Sequence, residues 1–163
     1  MCGIVGISSF VQELAFDQNK IEKMCRLLSH RGPDDEGIQI YQNTALGHRR
    51  LSIIDLKNGH QPLRYQYNEK EYCIVYNGEL YNMKEIKEDL VQRGYPFQTS
   101  SDTEVILVAY LEYGYQCVQH FEGIFSFVIY SDQELFGARD HLGVKPLFYS
   151  YYKDHFVFAS EIK

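Results

Sequence analysis

The residue with the clearest chemical potential is Cys2, the second of 163 residues. A small second residue favours removal of the initiator methionine, and Cys2 would then carry a thiol and a free α-amine. An α-amine of this kind is roughly one-third neutral near pH 7.5, so it can take the proton of the thiol directly or through a water. Cys2 could thus be a nucleophile with its own general base. The alternative is an ordinary buried cysteine on a first strand.

The sequence also predicts three helices. Each is predicted from a cap residue followed three positions later by a glutamate, the arrangement of a capping box. The pairs are Asn19/Glu22, Asn82/Glu85 and Ser101/Glu104. The third helix, from Asp102 to about Gly114, is apolar on nearly every face, which predicts a helix covered on both sides.

Short runs of alternating apolar and aromatic residues predict strands at 3–7, 37–42, 45–51, 71–76, 124–130, 134–139, 147–152 and 155–159. Breaks at 131–133 and 153–154 are typical of hairpin turns, which favours antiparallel pairing. Asn77-Gly78, taken alone, is also the commonest hairpin signal. The pattern predicts an α+β fold of stacked sheets with helices outside.

Composition excludes several classes of protein. Hydrophobic residues make up 45% and charged residues 23%, as in a globular chain, and no apolar run is long enough to span a membrane. The net charge is -6 without a basic stripe, which argues against nucleic-acid and membrane partners. The four cysteines form no Cys-x-x-Cys pair and lack a histidine at metal spacing, so no metal site is expected. A reduced, cytoplasmic chain without a signal peptide is expected.

Several runs along the chain carry a resemblance to a known family. They are 2–6 (CGIVG), 31–37 (RGPDDEG), 47–55 (GHRRLSIID), 59–63 (GHQPL), 76–82 (YNGELYN), 101–104 (SDTE), 138–147 (ARDHLGVKPL) and 159–163 (ASEIK). In this order they closely resemble the N-terminal glutaminase domain of glutamine-hydrolysing asparagine synthetases, a class II glutamine amidotransferase. The resemblance implies the four-layer αββα sandwich of N-terminal-nucleophile hydrolases.

The resemblance also implies a reaction. Cys2 would attack the side-chain amide of L-glutamine, release ammonia and leave a γ-glutamyl thioester that water hydrolyses. The tetrahedral intermediate needs fixed hydrogen-bond donors, which by resemblance are the Asn77 side chain and the Gly78 backbone N–H. Glycine permits that close approach of the backbone. Because the α-amine already serves as base, His48, His60 and His141 are not assigned catalytic roles.

Substrate recognition is likewise implied by the resemblance. Arg50 matches the family arginine that binds the α-carboxylate, and a guanidinium suits this role because it makes two parallel hydrogen bonds. Asp102 matches the aspartate that binds the α-ammonium, with Glu79 and the backbone near Ile54 assisting. An acidic residue in the first turn of a helix is also favourable without any ligand.

The chain departs from the family pattern where it stops. The resembling domain continues beyond the equivalent of 159–163 into an ATP-dependent synthetase domain with a Ser-Gly-Gly-x-Asp-Ser loop, which this sequence lacks. We therefore expect residues 1–163 to be one C-terminally truncated glutaminase domain, and ATP and Mg to belong to the absent domain. The glutaminase step itself needs no cofactor. A homodimer is among the assemblies that the sequence leaves open.

Two other functions remain open. The domain could feed ammonia to another acceptor, such as a sugar phosphate or phosphoribosyl pyrophosphate. It could instead be a noncatalytic module that retains Met1, because an unprocessed Met1 converts the α-amine of Cys2 into an amide.

Overall fold

The computed structural model describes residues 1–11, 18–51, 59–132 and 134–163. Its helices are α1 (Gln18–Leu27), α2 (Met83–Gln92) and α3 (Asp102–Tyr113), and a 3-10 helix spans Gly114–His120. Its strands are β1 (Gly3–Ser9), β2 (Asp35–Ile40), β3 (Thr44–Arg50), β4 (Leu63–Tyr67), β5 (Lys70–Leu80), β6 (Gly123–Ser131), β7 (Glu134–Arg139), β8 (Phe148–Tyr152) and β9 (His155–Ala159).

The strands form two antiparallel sheets. Sheet A has the order β2-β3-β1-β9-β8, and sheet B has the order β4-β5-β6-β7. The predicted hairpins are confirmed, because Ser131 pairs with Glu134 at one and Tyr152 with His155 at the other. Antiparallel pairing of neighbouring runs therefore organises much of both sheets, as the turn signals indicate.

Three apolar layers hold the elements together. The alternation of β1 divides its side chains between two of them. Ile4 packs between the sheets with Leu46, whereas Val5 packs against α1 with Ile21 and Cys25. The third layer lies between sheet B and the helices α2 and α3. The order helix, sheet, sheet, helix confirms the expected αββα sandwich.

The helix α3 is the most buried helix of the fold. Its central residues Val105–Ala109 are fully buried, because one side packs on sheet B and the others on α2 and the 3-10 helix. This confirms the prediction of a helix covered on both sides. In the described part of the chain, no helix is both long and apolar enough to cross a membrane.

None of the three predicted capping boxes forms in full among the described residues. Asn19 lies inside α1, which begins at Gln18. Asn82 precedes α2 but makes no capping bond, because its side chain binds the Glu122 N–H and the His120 carbonyl instead. Ser101 does cap α3, where its hydroxyl accepts the Glu104 N–H. The Glu104 carboxylate, however, accepts the N–H groups of Gln98 and Thr99 and not that of Ser101.

The strand β4 was not expected from the sequence. Its residues do alternate, however, with Arg64 and Gln66 exposed between more buried neighbours, so a short strand signal was present at 63–67. Pairing with β5 fixes it, with Leu63 opposite Ile74 and Tyr67 opposite Lys70. The local signal and the pairing with β5 therefore both favour this strand.

Candidate active site

Cys2 directly precedes β1, and the alternation of that strand carries it toward the layer between the sheets. Its carbonyl accepts a hydrogen bond from Arg31 Nε at 3.0 Å, and its thiol lies 3.9 Å from the Leu51 carbonyl oxygen. The other three cysteines, Cys25, Cys73 and Cys117, are fully buried, and burial raises the pKa of each thiol to about 12. Cys2 is therefore the one accessible thiol of the chain.

Arg50 ends β3, the strand that pairs with β1. Leu46 of β3 packs between the sheets, so the two-residue period places His48 and Arg50 on the same face. Arg50 is only 8% exposed. Its guanidinium lies directly against the backbone of Gly59, where a Cβ would come within 2.3 Å of Nη2. A side chain at position 59 would therefore displace the Arg50 guanidinium.

The central feature of the site is an open edge of β5, formed by Val75–Leu80. Pairing with β4 stops at Ile74, and no described strand continues it. At this edge the Tyr76 N–H donates to Gln61 Oε1 at 2.7 Å, and the Tyr76 carbonyl accepts from His48 Nε2 at 3.1 Å. Because residues of an antiparallel strand alternate in direction, Gly78 and Leu80 also point their polar groups toward this edge.

Gly78 lies at the middle of the open edge. Phe125, which stands opposite it on β6, accepts the Asp140 N–H at 2.8 Å instead of bonding to Gly78. A side chain at position 78 would lie 2.4 Å from the Ile124 carbonyl oxygen, so only glycine fits. The alternation therefore leaves the Gly78 N–H aimed at the edge, without a partner in the described ranges.

The Asn77 side chain faces the layer between the sheets. It is 3% exposed, and its Nδ2 has no hydrogen-bond partner in the described part of the chain. Buried amide donors are normally paired, so this one is an unusual group. The hairpin interpretation of Asn77-Gly78 is wrong, because both residues lie within β5, where Asn77 pairs with Ser126.

Asp102 begins α3 beside the same edge. Its carboxylate accepts the Tyr76 hydroxyl at 2.8 Å and the Thr103 N–H at 3.0 Å, and it also accepts the Leu80 N–H. Burial raises the pKa of Asp102, and these hydrogen bonds oppose that effect. The site thus holds a partly desolvated carboxylate next to the open edge.

The pKa of the Tyr76 hydroxyl also reflects the groups that lie near it. Burial raises the pKa of its hydroxyl most, the Asp102 carboxylate adds to this, and Glu79 and Cys2 are near enough to contribute. Cys2 and the start of α3, which carries Asp102, therefore both lie near Tyr76.

The remaining predicted substrate-binding residues are Glu79 and Ile54. Glu79 is exposed at the end of β5. Ile54 lies outside the described residues. Asp140 is buried and accepts the N–H groups of Phe125, Val144 and Lys145, which fixes the loop after β7. These contacts give Asp140 a structural position.

Three contacts at the open edge were not predicted from the sequence. Gln61 and His48 both bind the backbone of Tyr76, and the Tyr76 hydroxyl binds Asp102. Each of these side chains sits in one of the motif runs, which is the only signal that could have drawn attention to it. Nothing in the types of these residues predicts that they meet.

Together these groups can support nucleophilic acyl chemistry. The chain brings to one region an accessible thiol, a buried amide donor without a partner among the described residues, a guanidinium and a carboxylate. Among the described residues, no cluster of three or more histidine, cysteine, aspartate or glutamate side chains could hold a metal ion.

The sequence is similar to asparagine synthetases over its whole length. Glutamine-hydrolysing asparagine synthetase 3 of Bacillus subtilis is 42% identical over 165 residues, covering 100% of this chain and 27% of the relative. Glutamine-hydrolysing asparagine synthetase 2 of Oryza sativa subsp. japonica is 41% identical over 167 residues, again covering 100% of this chain and 27% of the relative. The chain thus spans only about a quarter of the length of these relatives.

Solved structures give the same fold. Glutamine phosphoribosylpyrophosphate amidotransferase from B. subtilis, complexed with ADP and GMP, superposes with a TM-score of 0.81 at 26% identity, covering 98% of this chain and 42% of that one. The family profile described as a glutamine amidotransferase domain matches residues 1–163. The chain belongs to the glutamine amidotransferase domain family.

Proposed function

We propose that this chain hydrolyses L-glutamine to glutamate and ammonia through a thioester on Cys2, as the ammonia-supplying part of an enzyme that makes asparagine from aspartate. The observation that carries the proposal is the pair of donors at the open edge of β5. Asn77 Nδ2 is buried without a partner among the described residues, and the adjacent Gly78 N–H is aimed at the open edge. Donors held unpaired in this way suit an oxyanion that exists only during the reaction.

The first step forms the thioester. Removal of Met1 frees the α-amine of Cys2, which accepts the thiol proton as sulfur attacks the amide carbon of glutamine. The tetrahedral intermediate places its negative oxygen between Asn77 Nδ2 and the Gly78 N–H. The carbon–nitrogen bond then breaks, the amine returns its proton to the leaving nitrogen, and ammonia departs.

The second step regenerates the thiol. Water attacks the thioester carbon, the α-amine takes a proton from that water, and the same two donors hold the second oxyanion. The carbon–sulfur bond breaks, sulfur recovers a proton, and glutamate is released. Every group used in these steps belongs to this chain or to the substrate, so the glutaminase reaction needs no cofactor.

Recognition of free glutamine uses the two ends of the site. Arg50 binds the α-carboxylate through its guanidinium, and its burial strengthens this charge pairing. Asp102 binds the α-ammonium, and the Tyr76 and Thr103 hydrogen bonds hold its carboxylate in place. Glu79 and the backbone near Ile54 assist in placing the substrate.

The acceptor reaction lies outside this chain. The relatives are named as glutamine-hydrolysing asparagine synthetases and are several times longer. We propose that residues 1–163 work together with an ATP-dependent synthetase part, to which ATP and Mg belong. The four unpaired cysteines favour a reducing, cytoplasmic location. A homodimer remains a candidate assembly, to be tested by light scattering.

Thiol labelling tests the glutaminase proposal. The protein is incubated with a glutamine analogue that carries a diazoketone in place of the amide, and its intact mass is measured. We expect a mass that lacks Met1 and carries one adduct, located on Cys2 by peptide mapping. The Cys2→Ala variant should carry none, and the matched variant Cys25→Ala should keep the adduct, because Cys25 is fully buried.

Other results would refute parts of the proposal. A protein that retains Met1 and gains no adduct favours the noncatalytic module. An adduct that persists in Cys2→Ala refutes Cys2 as the nucleophile. If the full-length enzyme hydrolyses glutamine but forms no asparagine from aspartate and ATP, the acceptor is another molecule.

A further inference from the structure

Gln61 closes a ring of four hydrogen bonds beside the site. Its Oε1 accepts the Tyr76 N–H at 2.7 Å, and its Nε2 donates to Thr103 Oγ1 at 3.2 Å. The Thr103 N–H donates to Asp102 Oδ1 at 3.0 Å, and the Tyr76 hydroxyl donates to Asp102 Oδ2 at 2.8 Å. The ring thus joins the loop before β4 to the open edge of β5 and the first turn of α3.

The chemistry of the ring leaves Gln61 one orientation. The backbone N–H of Tyr76 can only donate, so the amide oxygen must face it and the amide nitrogen must face Thr103. Gln61, Tyr76 and Thr103 are each less than a tenth exposed, so water does not readily replace either bond. A buried donor or acceptor left unpaired is costly, which keeps both ends of Gln61 engaged.

The Gln61 side chain also accepts a hydrogen bond that a neighbouring strand would otherwise accept. The strand β4 pairs with β5 as far as Ile74, and Tyr76 is the next residue whose N–H points to that edge. A side chain, rather than another stretch of backbone, satisfies this N–H. The edge beyond it, where Gly78 points, is therefore kept clear of β4.

We propose that Gln61 is a positioning residue of the glutamine site. It fixes the open edge of β5, which carries Asn77 and Gly78, relative to the start of α3, which carries Asp102. The consequence is selection for substrates that carry an α-ammonium at the correct distance from the reacting amide. This inference rests on the proposed function, and it goes beyond it by naming a residue that does not touch the substrate.

The test compares two substrates, glutamine and glutaramate, which is glutamine without its α-ammonium. The wild type should prefer glutamine in kcat/KM. The isosteric variant Thr103→Val removes only the hydroxyl that Gln61 holds, and should reduce this preference about five- to tenfold, through a higher KM for glutamine. Its kcat/KM for glutaramate should stay unchanged. Gln61→Met, which breaks both bonds, should reduce the preference at least as much.

Thr44→Val is the matched control. Thr44 is fully buried and bonds to Ser8 Oγ at 2.8 Å, at the end of β3 away from Arg50. This variant makes the same chemical change, so it should leave the preference for glutamine unaltered. If Gln61 has only a structural role, its variants should lower kcat/KM for glutamine and for glutaramate equally. This result would overturn the inference.

A further variant tests the proposed function separately from the positioning role of Gln61. Asp102→Asn should abolish the preference for glutamine over glutaramate. If it does not, or if the wild type hydrolyses neither substrate, the proposed function of the site is wrong and the inference fails with it. If Asp102→Asn abolishes the preference while Thr103→Val and Gln61→Met retain it in full, only the positioning role of Gln61 is refuted.

Discussion

His48 gives a prediction that connects the open edge of β5 to pH. Its ring is 1% exposed, and its Nε2 lies 3.1 Å from the Tyr76 carbonyl oxygen, so this nitrogen carries the proton. Burial lowers the pKa of His48 from 6.5 to about 4, and the bond to Tyr76 opposes this only in part. The side chain is therefore neutral at neutral pH.

The sign of the effect on stability follows from linkage. Between pH 6.5 and 4 the unfolded chain binds a proton at His48 that the folded chain excludes, so acid favours unfolding. The contribution is fully present above pH 6.5 and is lost as the pH falls. A shift of this size corresponds to about 3 kcal/mol in the free energy of unfolding, of which about 2 kcal/mol is lost by pH 5.

Urea unfolding at several values of pH from 7.5 to 5 measures this loss. His48→Gln retains an amide N–H that can reach the Tyr76 carbonyl but has no group that titrates in this range. We expect the wild type to lose about 2 kcal/mol more than His48→Gln between pH 7.5 and 5. His141→Gln, at an exposed histidine, should lose stability like the wild type. Parallel curves for the wild type and His48→Gln would refute the reasoning.

Four further predictions concern other parts of the chain. Asn77→Ala should lower kcat for glutamine hydrolysis by about 100-fold, since one oxyanion donor is lost, and an unchanged kcat in steady-state assays would exclude that role. Arg50→Lys should raise the KM for glutamine by about tenfold with a smaller change in kcat, because lysine cannot form the paired hydrogen bonds. Phe127→Ala should cost about 3–5 kcal/mol in urea unfolding, because the ring is fully buried. The hydrogen bond from Lys163, with further help from nearby cations, lowers the pKa of Glu161 to about 2. Its stabilising effect should be present above pH 4.5 and lost toward pH 2, so thermal melts of Glu161→Gln and the wild type should converge in acid.

Local sequence patterns predicted the elements that depend on residues close together in the chain. The hairpins β6–β7 and β8–β9 follow from turn residues between alternating strands, and α3 follows from the Ser101 cap and an apolar run. The position of Cys2 directly after the initiator methionine also indicated its chemistry. These features depend on residues within a few positions of one another, so the sequence displays them directly.

Other local signals were ambiguous and were settled by distant partners. Asn77-Gly78 has the sequence of a hairpin turn, but β6 pairs along the whole segment and keeps it in a strand. Asn82 has the sequence of a helix cap, yet its side chain binds the chain near His120. In both cases a long-range contact satisfies the polar groups better than the local structure would, so the local preference does not decide.

The amino-acid sequence by itself determined the residue types of the site and an α+β fold of stacked sheets with helices outside, and its resemblance to a known family implied the αββα sandwich. Only the tertiary structure decided how the site is assembled. Gln61 meets Tyr76 and Thr103 across separations of 15 and 42 residues, and His48 meets Tyr76 across 28. Such contacts arise because buried polar groups must find partners wherever packing brings them together, and sequence spacing carries no record of that geometry.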